Sequence, residues 1–197
     1  MSSALEPILD VVAVAPGCGD DLIKAALLEA EPAPGREILL LTSAALPELD
    51  GRLASGARLG GVVHLGRLDV TGQAIRWSHD EQPQPCPRYD ADDINHRLGI
   101  LLADRARWAM WWANRSITPT ALPYEAMRAD RRAAGPVLAR AFSLPDAPAV
   151  AAVAADPPLV ERWIAHHCRF STGSDDAPQH AVVDLTVAGR RYELGVD

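Results

Sequence analysis

Apolar and polar positions along this chain fall into short blocks whose period switches between strand and helix. Ile8 to Ala15 is an apolar run and predicts a buried strand. Leu22, Ile23, Ala26, Leu27 and Ala30 then fall on one stripe, which predicts a helix beginning at Asp20 or Asp21. Pro32-Ala33-Pro34-Gly35 breaks that unit. Glu37–Thr42 predicts a short buried strand or the start of another element, and Ala44–Ala57 a short helix or a loop. A second buried strand is expected over Gly60–Leu65, ending at Gly66-Arg67-Leu68-Asp69, with a helix from Val70 to His79 directly after it. Glu81–Pro87, with three prolines in seven residues, predicts an irregular connection. The clearest element is a long helix from Asp92 to Asn114, with Asp92 as candidate N-cap and Ile94, Leu98, Leu101, Leu102, Trp108, Trp111 and Trp112 near helical spacing. Ile117–Pro123 predicts a third short strand; Tyr124–Arg128, Arg131–Phe142 and Leu159–His167 predict helices. At the end of the chain, His180–Glu193 alternates around Ala188-Gly189, the pattern of a β-hairpin within residues 179–196.

Strands alternating with helices imply an α/β fold: a short, mainly parallel sheet flanked by helices, with ligands at the carboxyl ends of the strands. The sequence has no internal repeat, and 197 residues are expected to form a single domain, 1–197. A hydrophobic content of 48% fits an ordinary globular protein. The net charge of −7 argues against a general nucleic-acid binder. No apolar run reaches the roughly 18 residues of a membrane span, and the first residues lack the basic stretch of a secretory signal. Cys18, Cys86 and Cys168 are odd in number and widely spaced, so a reducing, cytoplasmic setting is expected instead of a disulfide framework.

The chemistry that stands out lies in Ala13–Leu22, where an apolar run meets Gly17, Gly19 and a helix start. Strand, glycine turn and helix is the arrangement in which backbone N–H groups and the helix dipole bind an anion. Asp20 and Asp21 stand in that first turn, and their plain role is to cap and stabilise the helix by about 1 kcal/mol. Arg67 has two roles open to it, an anion ligand or a structural ion pair with Asp69 or a helix end. Trp108, Trp111 and Trp112 read as core aromatics, with any exposed remainder a candidate partner surface. His166-His167-Cys168 invites a metal reading, but adjacent helical side chains do not face one another and no second cluster has ligand spacing, so no metal is expected.

Val62-Val63-His64-Leu65-Gly66-Arg67-Leu68-Asp69-Val70-Thr71-Gly72-Gln73-Ala74-Ile75 resembles the second nucleotide-binding segment of the bacterial trehalose 2-sulfotransferase family. That segment runs strand, Arg-x-Asp, then a helix with Gln-Ala. Asp92-Asp93-Ile94-Asn95 opening a helix that closes on Trp108 and Trp111-Trp112 is similar to the family, as are Ile117-Thr118-Pro119, Pro123-Tyr124-Glu125-Ala126-Met127 and Leu159–Phe170. The resemblance covers about two thirds of the chain, in order.

It implies a P-loop-like sulfotransferase fold and the donor PAPS (3′-phosphoadenosine 5′-phosphosulfate), with a carbohydrate or other small hydroxylated acceptor. It implies donor binding at Gly17, Cys18, Gly19 and Asp20 in the first loop and at Arg67 and Gly72 in the second, with Glu37 as general base. The chain departs from the family at three points. Gly17 stands for the loop arginine, Asp20 and Asp21 for its hydroxyl residues, and Gly72 for the serine that shares the 3′-phosphate. Like charges about 4 Å apart repel by about 4 kcal/mol at an effective dielectric near 20, about half of the ~8 kcal/mol of a micromolar affinity. The separation of Gly19 and Arg67 (67 − 19 = 48 positions) is also shorter than in the family. Two functions are therefore expected to compete: a diverged sulfotransferase, and a catalytically inactive sulfotransferase-fold binding or scaffold protein that has lost donor binding, with a homodimer or protein partner open to either.

Overall fold

The computed structural model describes residues 6–82, 87–130, 132–172, 183–187 and 190–194, with side chains as far as residue 167. Four parallel strands, β1 (Ile8–Ala13), β2 (Arg36–Leu41), β3 (Arg58–Gly66) and β4 (Thr120–Pro123), line up in the order β2-β1-β3-β4. The α/β sandwich expected from the alternating pattern is what forms. β1 pairs with β2 along its full length, Ile8 opposite Arg36 through Ala13 opposite Leu41. Its other edge pairs with β3, with one register irregularity between Leu9 and Val11.

Helices cover both faces of this sheet, which is why β1 is apolar at almost every position instead of alternating. Val12 and Val14 pack with Ile23 and Leu27 of α1 (Asp20–Leu28), Met127 of α5 (Tyr124–Ala129), and Leu138 and Phe142 of α6 (Ala134–Phe142). Leu9, Val11 and Ala13 point the other way, toward Leu46 and Leu49 of α2 (Leu46–Ala54) and the three tryptophans of α4 (Ala91–Asn114). A third cluster joins Ala74 and Ile75 of α3 (Val70–Glu81) to Ile94 and Leu101 of α4 and to Val160 and Trp163 of α7 (Pro158–Thr172). The one charged residue inside β1, Asp10, is fully buried. It is compensated by a two-pronged ion pair from Arg36 (2.6 and 2.8 Å) and by the Gly61 N–H (2.6 Å).

Several expectations are refined. The N-cap of α4 is Asp90, whose carboxylate accepts the Asp92 and Asp93 N–H groups at 3.0 Å; Asp92 sits inside the first turn. Ala44–Ala57 resolves into a 3-10 turn, Ser43–Ala45, followed by α2. The tryptophans are interior: Trp108 and Trp112 stack at 4.7 Å, and Trp111 donates to Asp50 at 2.7 Å. They leave no tryptophan surface for a partner, and the outward face of α4 carries Ile100, Leu102 and Met110 instead. At the end of the chain β5 (Val183–Val187) and β6 (Arg190–Leu194) pair antiparallel, Val183 opposite Leu194. The turn of that hairpin at 188–189, and residues 173–182 before it, lie outside the described residues.

β3 and α6 approach so closely at Gly61 that a Cβ there would collide with the Ala141 carbonyl oxygen, which is backbone and cannot rotate away. Gly61→Ala should therefore cost about 1–3 kcal/mol, the usual penalty of overpacking. Urea denaturation checks it, as a lower midpoint at unchanged slope.

Candidate functional site

From β1 the chain crosses to β2 on one side, then returns past β1 to lay down β3 on the other. The carboxyl ends of β1 and β3 thus lie at the point where the strand order reverses, and a crevice is required there. A cleft of about 560 Å³ opens at that place, within the ~300–1,000 Å³ of small-molecule sites. Its walls are the turn after β1, Thr42 beyond β2, Arg67 beyond β3, one face of α3, Tyr124, and Ala152–Ala154.

The turn after β1 is built by left-handed backbone at Gly17 (φ 71°) and Gly19 (φ 83°), a conformation that glycine adopts without a Cβ clash. Gln73 of α3 holds it from the side, donating from Nε2 to the Pro16 carbonyl at 2.6 Å. Gly19 is itself the N-cap of α1 and offers no side-chain cap. Asp20 and Asp21 are consequently first-turn residues, not caps, and both line the cleft. Burial pushes the Asp20 carboxyl above its ordinary range, and the charge of Asp21 adds to this. Cys18 faces the other way. It is fully buried beneath the turn, and its Sγ accepts the Ala15 N–H at 3.4 Å. Burial drives its thiol pKa to about 12.

At the opposite end the cleft is lined by Arg67 and Arg76, with Asp80 beside Arg76. Arg67 is buried, its side chain 4% exposed. Its Nη2 donates to Asp156 Oδ2 at 3.0 Å, and its guanidinium carbon lies 4.4 Å from the centre of the Tyr124 ring. Its Nε and Nη1 are buried with no hydrogen-bond partner among the described residues. The surrounding loop is held by Glu125, which accepts the Leu68 and Asp69 N–H groups at 3.0 and 3.3 Å, and by Arg105, which donates to the Arg67 carbonyl. Asp69 is the N-cap of α3, accepting the Gly72 N–H at 2.7 Å. The structural pairing of Arg67 expected with Asp69 is thus made with Asp156 instead. Gly72 does not reach the cleft: its N–H is taken by Asp69, whose carboxylate fills the place a Cβ would need.

Of the residues singled out in the sequence, Gly17, Gly19, Asp20 and Arg67 come together around the cleft. Glu37 does not. It lies in the first half of β2, opposite Leu9 and four residues before Leu41, about 13 Å along the strand from its carboxyl end at 3.3 Å per residue. There it pairs with Arg52 of α2, whose hydrogen bond holds the Glu37 carboxyl below its usual range. Strand register explains this position, since β2 meets the cleft beyond its carboxyl end, at Thr42, and not at its start.

The sequence reading passed over Arg76, Trp77, Asp80 and Asp156. The first three had a signal: with Gln73 they recur at i, i+3, i+4 and i+7, one helical face. Asp156 had none, because it meets Arg67 from 89 positions away. In the His166-His167 pair, His167 Nδ1 shares a 2.9 Å hydrogen bond with Tyr89 Oη. Among the described residues no three His, Cys, Asp or Glu side chains group to hold a metal ion, and no helix is long and apolar enough to cross a membrane.

The family model of Stf0 sulphotransferase matches residues 54–157, just over half of the chain. The matched stretch runs from the end of α2 through Arg67, α3, α4 and α5 to Asp156; the glycine turn lies before it. No curated protein matches the sequence.

A thiol raised this far carries almost no thiolate near neutrality. Cys18 should stay unalkylated when the folded protein meets iodoacetamide at pH 8, and react once urea unfolds it, as read by mass spectrometry of the peptide containing Cys18.

Proposed function

The chain belongs to the Stf0 sulphotransferase family, and from that premise we propose that its cleft performs sulfo transfer from PAPS to a carbohydrate or other small hydroxylated acceptor. The observation that carries this reading is Arg67: a buried guanidinium at the carboxyl end of β3 whose Nε and Nη1 have no hydrogen-bond partner among the described residues. Buried donors without partners are costly, and a phosphate oxygen is the acceptor they suit best. Arg67 and Arg76 would hold the phosphate on the ribose of the donor. Tyr124 and Trp77 offer aromatic faces beside it, and the first-turn N–H groups of α1 face the other end. When bound, the donor supplies a sulfonate on a phosphate leaving group. Asp20 replaces Glu37 as the carboxylate placed to take the proton of an acceptor hydroxyl, since it lines the cleft and its affinity for a proton is raised.

A second reading is favoured by a different observation. The loop end presents Asp20 and Asp21 with no arginine at position 17, so it repels the phosphosulfate it would have to hold. On this reading the protein keeps the fold and its arginine end as a binding or scaffold protein and transfers nothing.

Calorimetry with adenosine 3′,5′-bisphosphate at low salt, with a sulfo-transfer assay, tests the first reading and separates it from the second. Micromolar binding is expected, weakened about 10- to 100-fold in Arg67→Ala, the effect of losing charge-assisted hydrogen bonds. Asp20→Asn should leave or tighten nucleotide binding and lower turnover by about 10²-fold or more. With Asp20 as base, turnover rises with pH as the carboxyl deprotonates, on a limb displaced above the ordinary carboxylate range. Nucleotide binding that appears only in Asp20→Asn, with no sulfo transfer by either protein, supports the second reading. Absence of heat at millimolar nucleotide overturns the first.

A further inference from the structure

Three arginines converge on a single carboxylate at the edge of the cleft. Asp156, 3% exposed, lies 3.0 Å from Arg67 Nη2, 3.4 Å from Arg76 Nη1 and 3.5 Å from Arg128 Nη1. Arg76 shares itself with Asp80 at 2.7 Å, and Arg128 reaches Glu161 at 4.0 Å. Among the described residues Arg67 has no other anion: Asp156 takes one of its N–H groups, and Nε and Nη1 stay unpaired in the interior. A carboxylate engaging one N–H of a buried guanidinium is a poor match for it, because the fork of arginine is made for two parallel bonds.

The segment that brings Asp156 there is unusual. Residues 143–157, between α6 and α7, contain no helix or strand. A connection of this length without secondary structure is uncommon in a compact domain, and one that packs on the core beside a cleft belongs with binding loops more than with linkers. Val150 and Val153 rest on the edge of the core. On the N-terminal side of Asp156 the anchoring is light: Tyr124 Oη reaches the Ala154 carbonyl at 3.5 Å, the far limit of a hydrogen bond; on the other side Pro157 is fixed to α7, its carbonyl accepting the Val160 N–H at 2.8 Å, so movement is confined to the stretch before it. Ala152, Val153 and Ala154 form one wall of the cleft, so the strap borders both the ligand space and the arginines.

We propose that Asp156 is a built-in stand-in for the ligand's anion: the 143–157 strap lays its own carboxylate on Arg67, Arg76 and Arg128, and an incoming phosphate group displaces it. This rests on the reading of the cleft as a nucleotide site. The strap therefore restrains binding, since a competent site exists only in the fraction of molecules whose strap has withdrawn. A phosphate brings more acceptor oxygens than a carboxylate and can engage the two N–H groups that Asp156 leaves unpaired.

Asp156→Asn keeps the size of the side chain and an oxygen for Arg67 while removing the charge. Adenosine 3′,5′-bisphosphate should bind this variant at least tenfold more tightly than it binds the natural protein. Inorganic phosphate should raise its melting temperature more than that of the natural protein, and Arg67→Ala in the same background should abolish that difference. Equal or weaker nucleotide binding by Asp156→Asn overturns the inference and leaves the nucleotide reading intact. No nucleotide binding by either protein, with phosphate still stabilising Asp156→Asn selectively, overturns the nucleotide reading and keeps the strap as an anion competitor. Absence of both effects overturns both. Should the variant not fold, hydrogen exchange on the natural protein decides: nucleotide must speed exchange of the amides in 150–156 while slowing those in 19–22. Slowing in both segments sinks the proposal.

Discussion

A guanidinium taken out of water has to be answered by its surroundings, and much of this molecule is arranged around that demand at Arg67. The carboxyl end of β3 delivers the side chain inward, where Asp156, the Tyr124 ring and little solvent await it. Glu125 and Arg105 hold the backbone on either side, the first through the amides of Leu68 and Asp69, the second through the Arg67 carbonyl. Thus α5, α4 and the 143–157 strap are tied to one strand end by polar contacts. Replacing a buried ion pair by apolar packing is often neutral or stabilising. Retention of such a cluster beside a cleft therefore fits recognition better than stability.

The two ends of the cleft differ in sign. Arg67 and Arg76 occupy one; Asp20 and Asp21 occupy the other, at the positive end of a helix dipole that partly offsets them. The family match covers the cationic end and stops short of the acidic one. The glycine turn, Asp20 and Asp21 precede the matched residues 54–157.

What could be read from the residues was local. β1, α3 and α4 were legible because burial on both faces or on one stripe leaves a periodic trace, and the turn at Gly17–Gly19 because glycine marks left-handed backbone. Placement across the sheet was not. Glu37 drew attention through the family resemblance, and strand register sets it at the end of β2 away from the cleft, where Arg52 claims it. Asp156 looked like nothing, one of two acids in an Ala- and Pro-rich stretch, because its meaning is a contact 89 positions distant. Cys18 and Gly72 stand where a ligand would be expected to touch, but one turns into the core and the other spends its amide on a cap.

Gly17 fixes what can be built at this loop. At φ 71° its backbone has a form that an arginine could occupy only with about 1–2 kcal/mol of strain, while Gln73 clasps the adjoining Pro16 carbonyl. A cation grafted at position 17 alone would therefore meet a chain path that resists it, so charge is added to this rim most cheaply from a neighbouring element.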